Sequence, residues 1–275
     1  MHRKRPEKQG IELKKKFGQH FLQDHYFIDQ IIAQVQFSST TNVFEIGCGE
    51  GVLTKAIALQ PLHQLKIFEI DPEWANLVKK HFKNDPRVTM FLGNILDQNL
   101  NELFAGQTWV LLANLPYCIT FPILHLLYQS RSVVSEGVIM IQEEVAQKIV
   151  QKSGRGYGYP SLFFQHYFDW KVLDKVPPTA FYPAPKVFSR LLHFKTKKNP
   201  EVIVHEADFW KFIKMCFLQP RRTLKNNLQQ SKYWEKVATD LDHAVPTIFT
   251  PELLQKRAQE LSMDDFLKIW QSLHA

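Results

Sequence analysis

The chain is poor in cysteine and has no apolar run long enough to cross a bilayer. Cys48, Cys118 and Cys216 are its three cysteines. They stand far apart with no C-x-x-C pattern, which argues against a disulfide framework or a zinc site and fits a reducing compartment. No uninterrupted apolar stretch nears the ~18 residues of a membrane-spanning helix. The N-terminus, "MHRKRPEKQGIELKKKFGQ", has no apolar segment of a secretory signal and no serine. Its glutamates Glu7 and Glu12 also spoil a mitochondrial presequence. A cytoplasmic location without membrane attachment is expected. Internal repeats and low-complexity segments are missing too.

What is present is size, core and positive charge. At 275 residues and 45% hydrophobic content the chain can build a large domain and a small one. Its formal net charge is +7, with a pI of about 9.2, so a polyanion is a plausible partner, although charge says little about fold. Much of the excess lies in a short arm, where Arg3, Lys4, Arg5, Lys8, Lys14, Lys15 and Lys16 face two glutamates. Such an arm is either a solubilising tail or a set of phosphate contacts.

Between residues 42 and 142, strand-like runs alternate with helical spacing. "NVFEIG" (42–47), "QLKIFEI" (64–70), "RVTMFLG" (87–93), "WVLLAN" (109–114) and "GVIMIQ" (137–142) are near-continuously apolar, and 52–60, 73–82 and 120–129 have helical periodicity. This pattern predicts an α/β fold with a mostly parallel sheet buried on both faces. "VFSRLLHF" (187–194) is expected to close that sheet as an edge or hairpin strand. After "KTKKNPEV" (195–202) only helical patterns follow. The expected layout is a basic arm (1–17), a catalytic domain (18–198) and a helical domain (199–275).

Three features fall at strand ends, where open α/β sheets bind ligands. In "EIGCGEG" (45–51), Gly47, Gly49 and Gly51 lead from a strand into a helix. A dinucleotide fingerprint needs its third glycine at position 52, which is Val52, so a nicotinamide dinucleotide fits poorly. Glu69 stands towards the end of "KIFEID" (66–71), 18 residues after Gly51. It is a solvated cap if read alone, and an acceptor for the two hydroxyls of an adenosine ribose if read with the glycine loop. Asn114-Leu115-Pro116-Tyr117 ends the next central strand, either as a Pro turn or as an amine-binding edge. In the second reading the Asn114 side-chain oxygen and the Leu115 carbonyl accept both N–H bonds of a nucleobase amine. Pro116 stiffens the turn and Tyr117 stacks the base.

Those pieces resemble adenine-N6 methyltransferases that use S-adenosyl-L-methionine. "KKKFGQHFLQD" (14–24), "EIGCGEGVLT" (45–54), "NLPYCIT" (114–120), "PPTAFYPAPKV" (177–187) and "FLQPRRTLKNNL" (217–228) together look like the KsgA family, bacterial small-subunit rRNA adenine dimethyltransferases. The resemblance covers nearly the whole chain. It implies a Rossmann-like class I methyltransferase fold and dimethylation of two adjacent adenines near the 3′ end of small-subunit rRNA, on an assembling subunit, by a monomer. By the same resemblance Gln19, His20 and Leu22 would close over the cofactor, Gly47 and Gly49 would hold its methionine part, and Glu69 its ribose. Asn94 would meet its adenine, with Asp97 near enough to compete. The family usually carries Asn where this chain has His20, and Asp where it has Asn94. Phe181, otherwise a core residue, would stack the target adenine opposite Tyr117. Lys14, Lys15, Lys16, Arg221, Arg222 and Lys225 would grip rRNA, although the last three also suit a solvated helix face. Two other readings stay open: a large-subunit rRNA dimethyltransferase of the macrolide-resistance type, and a non-catalytic RNA or assembly factor on this scaffold.

Overall fold

The computed structural model describes residues 7–14, 17–242 and 248–274. Lys15 and Lys16, expected above to grip rRNA, lie outside the described residues. The chain forms two compact units, Met1–Ala146 with Phe168–Thr196, and Gln147–Tyr167 with Lys197–Ala275. The second unit therefore takes in 147–167, a stretch that its sequence pattern leaves in the catalytic domain.

The first unit is built on seven strands: β1 (Asn42–Ile46), β2 (Gln64–Glu69), β3 (Val88–Leu92), β4 (Trp109–Asn114), β5 (Val134–Gln142), β6 (Phe168–Val176) and β7 (Ser189–Thr196). Their order across the sheet is β3-β2-β1-β4-β5-β7-β6. The first five run parallel, and β7 lies antiparallel to both β5 and β6. β7 is thus an inner strand that pairs antiparallel with the sheet strand before it, which is the hairpin form of the expectation and not the edge form. The edge is β6, "FDWKVLDKV", whose mixed burial gives neither the alternation of a half-buried strand nor the apolar run of a buried one.

The central strands follow their sequence closely. All five residues of β1 and the first five of β4 are buried, as parallel strands covered on both faces require. Chain order reverses between β1 and β4, so their carboxyl ends part into a crevice. Helix Pro72–His81 begins just past β2. Asp71 caps it by accepting the Glu73 N–H, Pro72 occupies the first turn, and Lys79, Lys80 and His81 complement the dipole at its end.

The second unit is helical. Helices Tyr159–Tyr167, Glu206–Cys216 and Met263–His274 bury a cluster of aromatic rings that includes Phe163, Tyr167, Trp210, Phe212 and Trp270. Their polar atoms are satisfied locally: Trp210 Nε1–H donates to the Tyr167 hydroxyl, and Trp270 Nε1–H to the Val204 carbonyl. Thr223 caps helix Leu224–Leu228, beside which Arg221 and Arg222 are exposed and Lys225 half-buried. Among the described residues no helix is long and apolar enough to cross a membrane.

Candidate active site

The ends of β1, β2 and β4 open onto one cavity of about 280 Å³. Gln19, His20, Gly47, Gly49, Glu69, Asn94, Asn114, Leu115, Pro116 and Tyr117 all line it. Sequence elements up to about 100 residues apart thus meet where their spacing placed them.

Glu69 is buried, and its two oxygens are held by backbone. Oε2 accepts the Gly49 N–H at 3.1 Å and Oε1 the Asp71 N–H at 2.9 Å. Burial pushes its carboxyl up, and those N–H groups oppose the shift. The carboxylate is fixed at the cavity wall with lone pairs to spare, the arrangement a vicinal diol can donate to.

Glu45, on β1, is enclosed as well. Its Oε2 accepts the Thr54 hydroxyl at 2.6 Å, and burial pushes its carboxyl up to about 8. The folded chain therefore holds a proton that the unfolded chain, at an ordinary 4.5, has released. Since the folded state binds more protons between these values, stability falls as pH rises from 4.5 through about 8. Thermal melts across that range are expected to show a decline that Glu45→Gln flattens. Parallel pH curves for the two proteins would refute it.

Asn114 and its neighbours form the opposite wall. Asn114 Nδ2–H donates to the His20 carbonyl at 2.9 Å, which orients the amide and leaves its oxygen for another donor. His20 Nδ1 lies 2.7 Å from the Pro183 carbonyl, a contact that requires the proton on Nδ1. The imidazole stacks on Tyr117, with centroids 5.7 Å apart and planes at 25°. Tyr117 in turn shares a 2.7 Å hydrogen bond with the Ser189 hydroxyl at the start of β7. Burial raises its phenol pKa, so the ring remains neutral.

Other expected residues fall elsewhere. Phe181 is 4% exposed and packs in the core with Leu22 and Phe27, off the cavity wall. Strand Phe181–Tyr182 pairs with Phe21–Leu22, which sets the Phe181 ring among these core residues. Leu22 joins the same core. Asn94, not Asp97, reaches the cavity. Its Oδ1 accepts the Leu96 N–H at 3.1 Å, capping the turn Ile95–Asp97.

Lys14 does not point freely to solvent. Its ammonium lies 2.5 Å from Asp71 and 2.6 Å from Glu73, and Gln19 bridges Asp71 and the Lys14 backbone N–H. Lys8 pairs likewise with Glu50, at 2.5 Å. The described part of the arm is therefore a hairpin, Glu7–Lys8 against Ile11–Glu12, fastened beside the glycine loop and Asp71. Charge counting missed this, because the acidic partners lie 42 and 57 residues away. Motif reading also missed the apolar lining at Ile46, Phe68, Ile70 and Ile95. Ile70 is the most informative of these, an exposed isoleucine directly after Glu69 that offers a face to an aromatic ring.

The sheet order, the reversal between β1 and β4 and the crevice at their ends define a class I S-adenosylmethionine-dependent methyltransferase. The chain belongs to the ribosomal RNA adenine dimethylase family, whose pattern matches residues 10–273. It is 35% identical over 268 residues to the ribosomal RNA small subunit methyltransferase A of Desulfitobacterium hafniense, covering 97% of this chain and 94% of that one. The protein of the same name from Streptococcus thermophilus is 34% identical over 275 residues, again covering 97% and 94%. Two solved structures share the fold: a dimethyladenosine transferase from Plasmodium falciparum (TM-score 0.75, 22% identity, 92% of this chain and 97% of that one) and the 23S rRNA methyltransferase ErmE (TM-score 0.70, 20% identity, 93% and 100%).

Proposed function

We propose that this enzyme dimethylates N6 of two adjacent adenines near the 3′ end of small-subunit rRNA, acting as a cytoplasmic monomer on an assembling subunit. The observation that carries the reaction is the Asn114 amide. One N–H of its NH2 donates to the His20 carbonyl, which fixes the plane of the amide and leaves Oδ1 to accept from a bound amine. An exocyclic adenine amine is planar and weakly nucleophilic because its lone pair is delocalised into the ring. Two acceptors, Asn114 Oδ1 and the Leu115 carbonyl, hold both N–H bonds and favour the positive charge that grows on nitrogen as it attacks. No side-chain base is needed to start the attack, since the alkylated nitrogen sheds its proton readily. Tyr117 supplies the stacking face.

The cavity suits S-adenosylmethionine. Glu69 is the acceptor for its ribose hydroxyls, the Gly47–Gly49 backbone leaves space for its methionine part, and Asn94 and Ile70 border its adenine. Bound there, it supplies an electrophilic methyl group. The exposed Arg221 and Arg222, with Lys225, are available to rRNA phosphates, and each such contact steepens the salt dependence of binding.

Small-subunit specificity rests on the relatives that match almost end to end. The test is mass spectrometry of rRNA after incubation with isotopically labelled S-adenosylmethionine and separated ribosomal subunits. Dimethyladenosine is expected in small-subunit rRNA. Label confined to large-subunit rRNA would establish the macrolide-resistance type of activity instead, and no label would leave a binding factor.

A further inference from the structure

Neighbouring residues of a strand point to opposite faces. In strand Phe181–Tyr182 this sends Phe181 into the core and leaves Tyr182 40% exposed. Tyr182 lies opposite Phe21, whose ring lines the cavity, and the next residue, Pro183, accepts the His20 Nδ1–H. A second ring stands at the other end of the same loop. Phe188 is 45% exposed, and the residue after it, Ser189, holds the Tyr117 hydroxyl. Each exposed ring is therefore one residue from a group that braces the amine-binding wall, through His20 on one side and Tyr117 on the other.

Each ring also carries a cation. Lys8 Nζ lies 5.8 Å from the Tyr182 centroid, and Lys175 Nζ lies 4.3 Å from that of Phe188. Lys186, between the two rings in the chain, is exposed. Large rings left in water beside ammonium groups are what single-stranded nucleic acid uses, with bases on the π faces and phosphates on the cations.

From this juxtaposition we propose that Tyr182 and Phe188 form a stacking platform for the nucleotides flanking the extruded adenine, with Lys175 and Lys186 meeting their phosphates. The proposal rests on the RNA-adenine reading above. A base drawn into the cavity leaves its neighbours without their stacking partner, and exposed rings one residue from the braces of the amine-binding wall replace it. Stacking needs no hydrogen-bonding edge, so the platform takes an adenine or an N6,N6-dimethyladenine equally. One of two adjacent adenines can then rest on it while the other is in the cavity, in either order.

The experiment uses the full chain, a small-subunit 3′-end RNA bearing 2-aminopurine next to a target adenine, and the variants Tyr182→Ala, Phe188→Ala, Tyr182→Phe and Phe188→Tyr. Wild-type protein is expected to quench the 2-aminopurine on binding. Each alanine variant is expected to lose quenching and to raise KM for RNA about tenfold, with kcat at saturating RNA and KM for S-adenosylmethionine held. The aromatic replacements are expected to restore both readouts. A wild-type enzyme that methylates the RNA while both alanine variants keep their quenching and KM overturns the platform alone. A wild-type protein that transfers no methyl group to this RNA, as to isolated small subunits, overturns the substrate reading and the platform with it.

Discussion

Replacing Asn114 with alanine is expected to cut methyl transfer by about 100-fold or more, the scale seen when one oriented polar group is lost from a site of developing charge. The alanine variant removes the acceptor proposed for the target amine and leaves the His20 carbonyl without its 2.9 Å donor. Cofactor affinity is expected to change much less, because Glu69 is held from the other side by Gly49 and Asp71. Asn114→Asp is the sharper control. It keeps an acceptor for the amine but sets a carboxylate oxygen against the His20 carbonyl, so its turnover is expected to fall on the alanine scale while the side-chain volume is unchanged. Single-turnover methylation of adenine-containing RNA, with cofactor affinity titrated separately, measures both effects. Near-normal turnover by either variant would remove Asn114 from the mechanism.

The sequence showed this site well where chemistry is local. A glycine loop after β1, a carboxylate ending β2 and an amide ending β4 are short-range patterns, and the reversal in a parallel sheet brings such strand ends together. It failed where the outcome depends on distant partners. Lys14 looks like any lysine of a basic arm until Asp71 and Glu73 are placed beside it. Phe181 and Tyr182 are adjacent aromatics in one motif. Which faces the core is decided by pairing with Phe21–Leu22, far earlier in the chain. Strand β6 escaped notice because an edge strand on an antiparallel flank has no uniform burial to leave a pattern. Residues 147–167 joined the helical unit through contacts with 197–275, such as Gly154 N–H donating to the Gln259 carbonyl, and no linker composition marks that division.

Gly49→Ala is expected to weaken binding of S-adenosylhomocysteine, the demethylated cofactor product, by about 100-fold, with a lowered melting temperature. Gly49 has φ +51°, a region that costs a residue bearing Cβ roughly 1–2 kcal/mol. The added carbon would also sit 2.4 Å from Phe21 Cε1, inside any tolerable contact. Phe21 cannot easily retreat: it is buried, packs on Trp74 at a 4.9 Å centroid distance and is paired with Tyr182. Overpacking of this kind costs about 1–3 kcal/mol. The relief is to shift the loop itself, which withdraws the Gly49 N–H from Glu69 and unseats the acceptor proposed for the ribose. Gly106→Ala separates backbone strain from crowding, since Gly106 has φ +73° but nothing within 4 Å of where its new methyl group would stand. It is expected to lower the melting temperature and leave cofactor binding intact. Calorimetric titration of both variants decides the matter: wild-type affinity in Gly49→Ala would mean that the loop does not set the cofactor site, whereas a loss confined to that variant ties the cofactor to the approach of Gly49, Phe21 and Glu69.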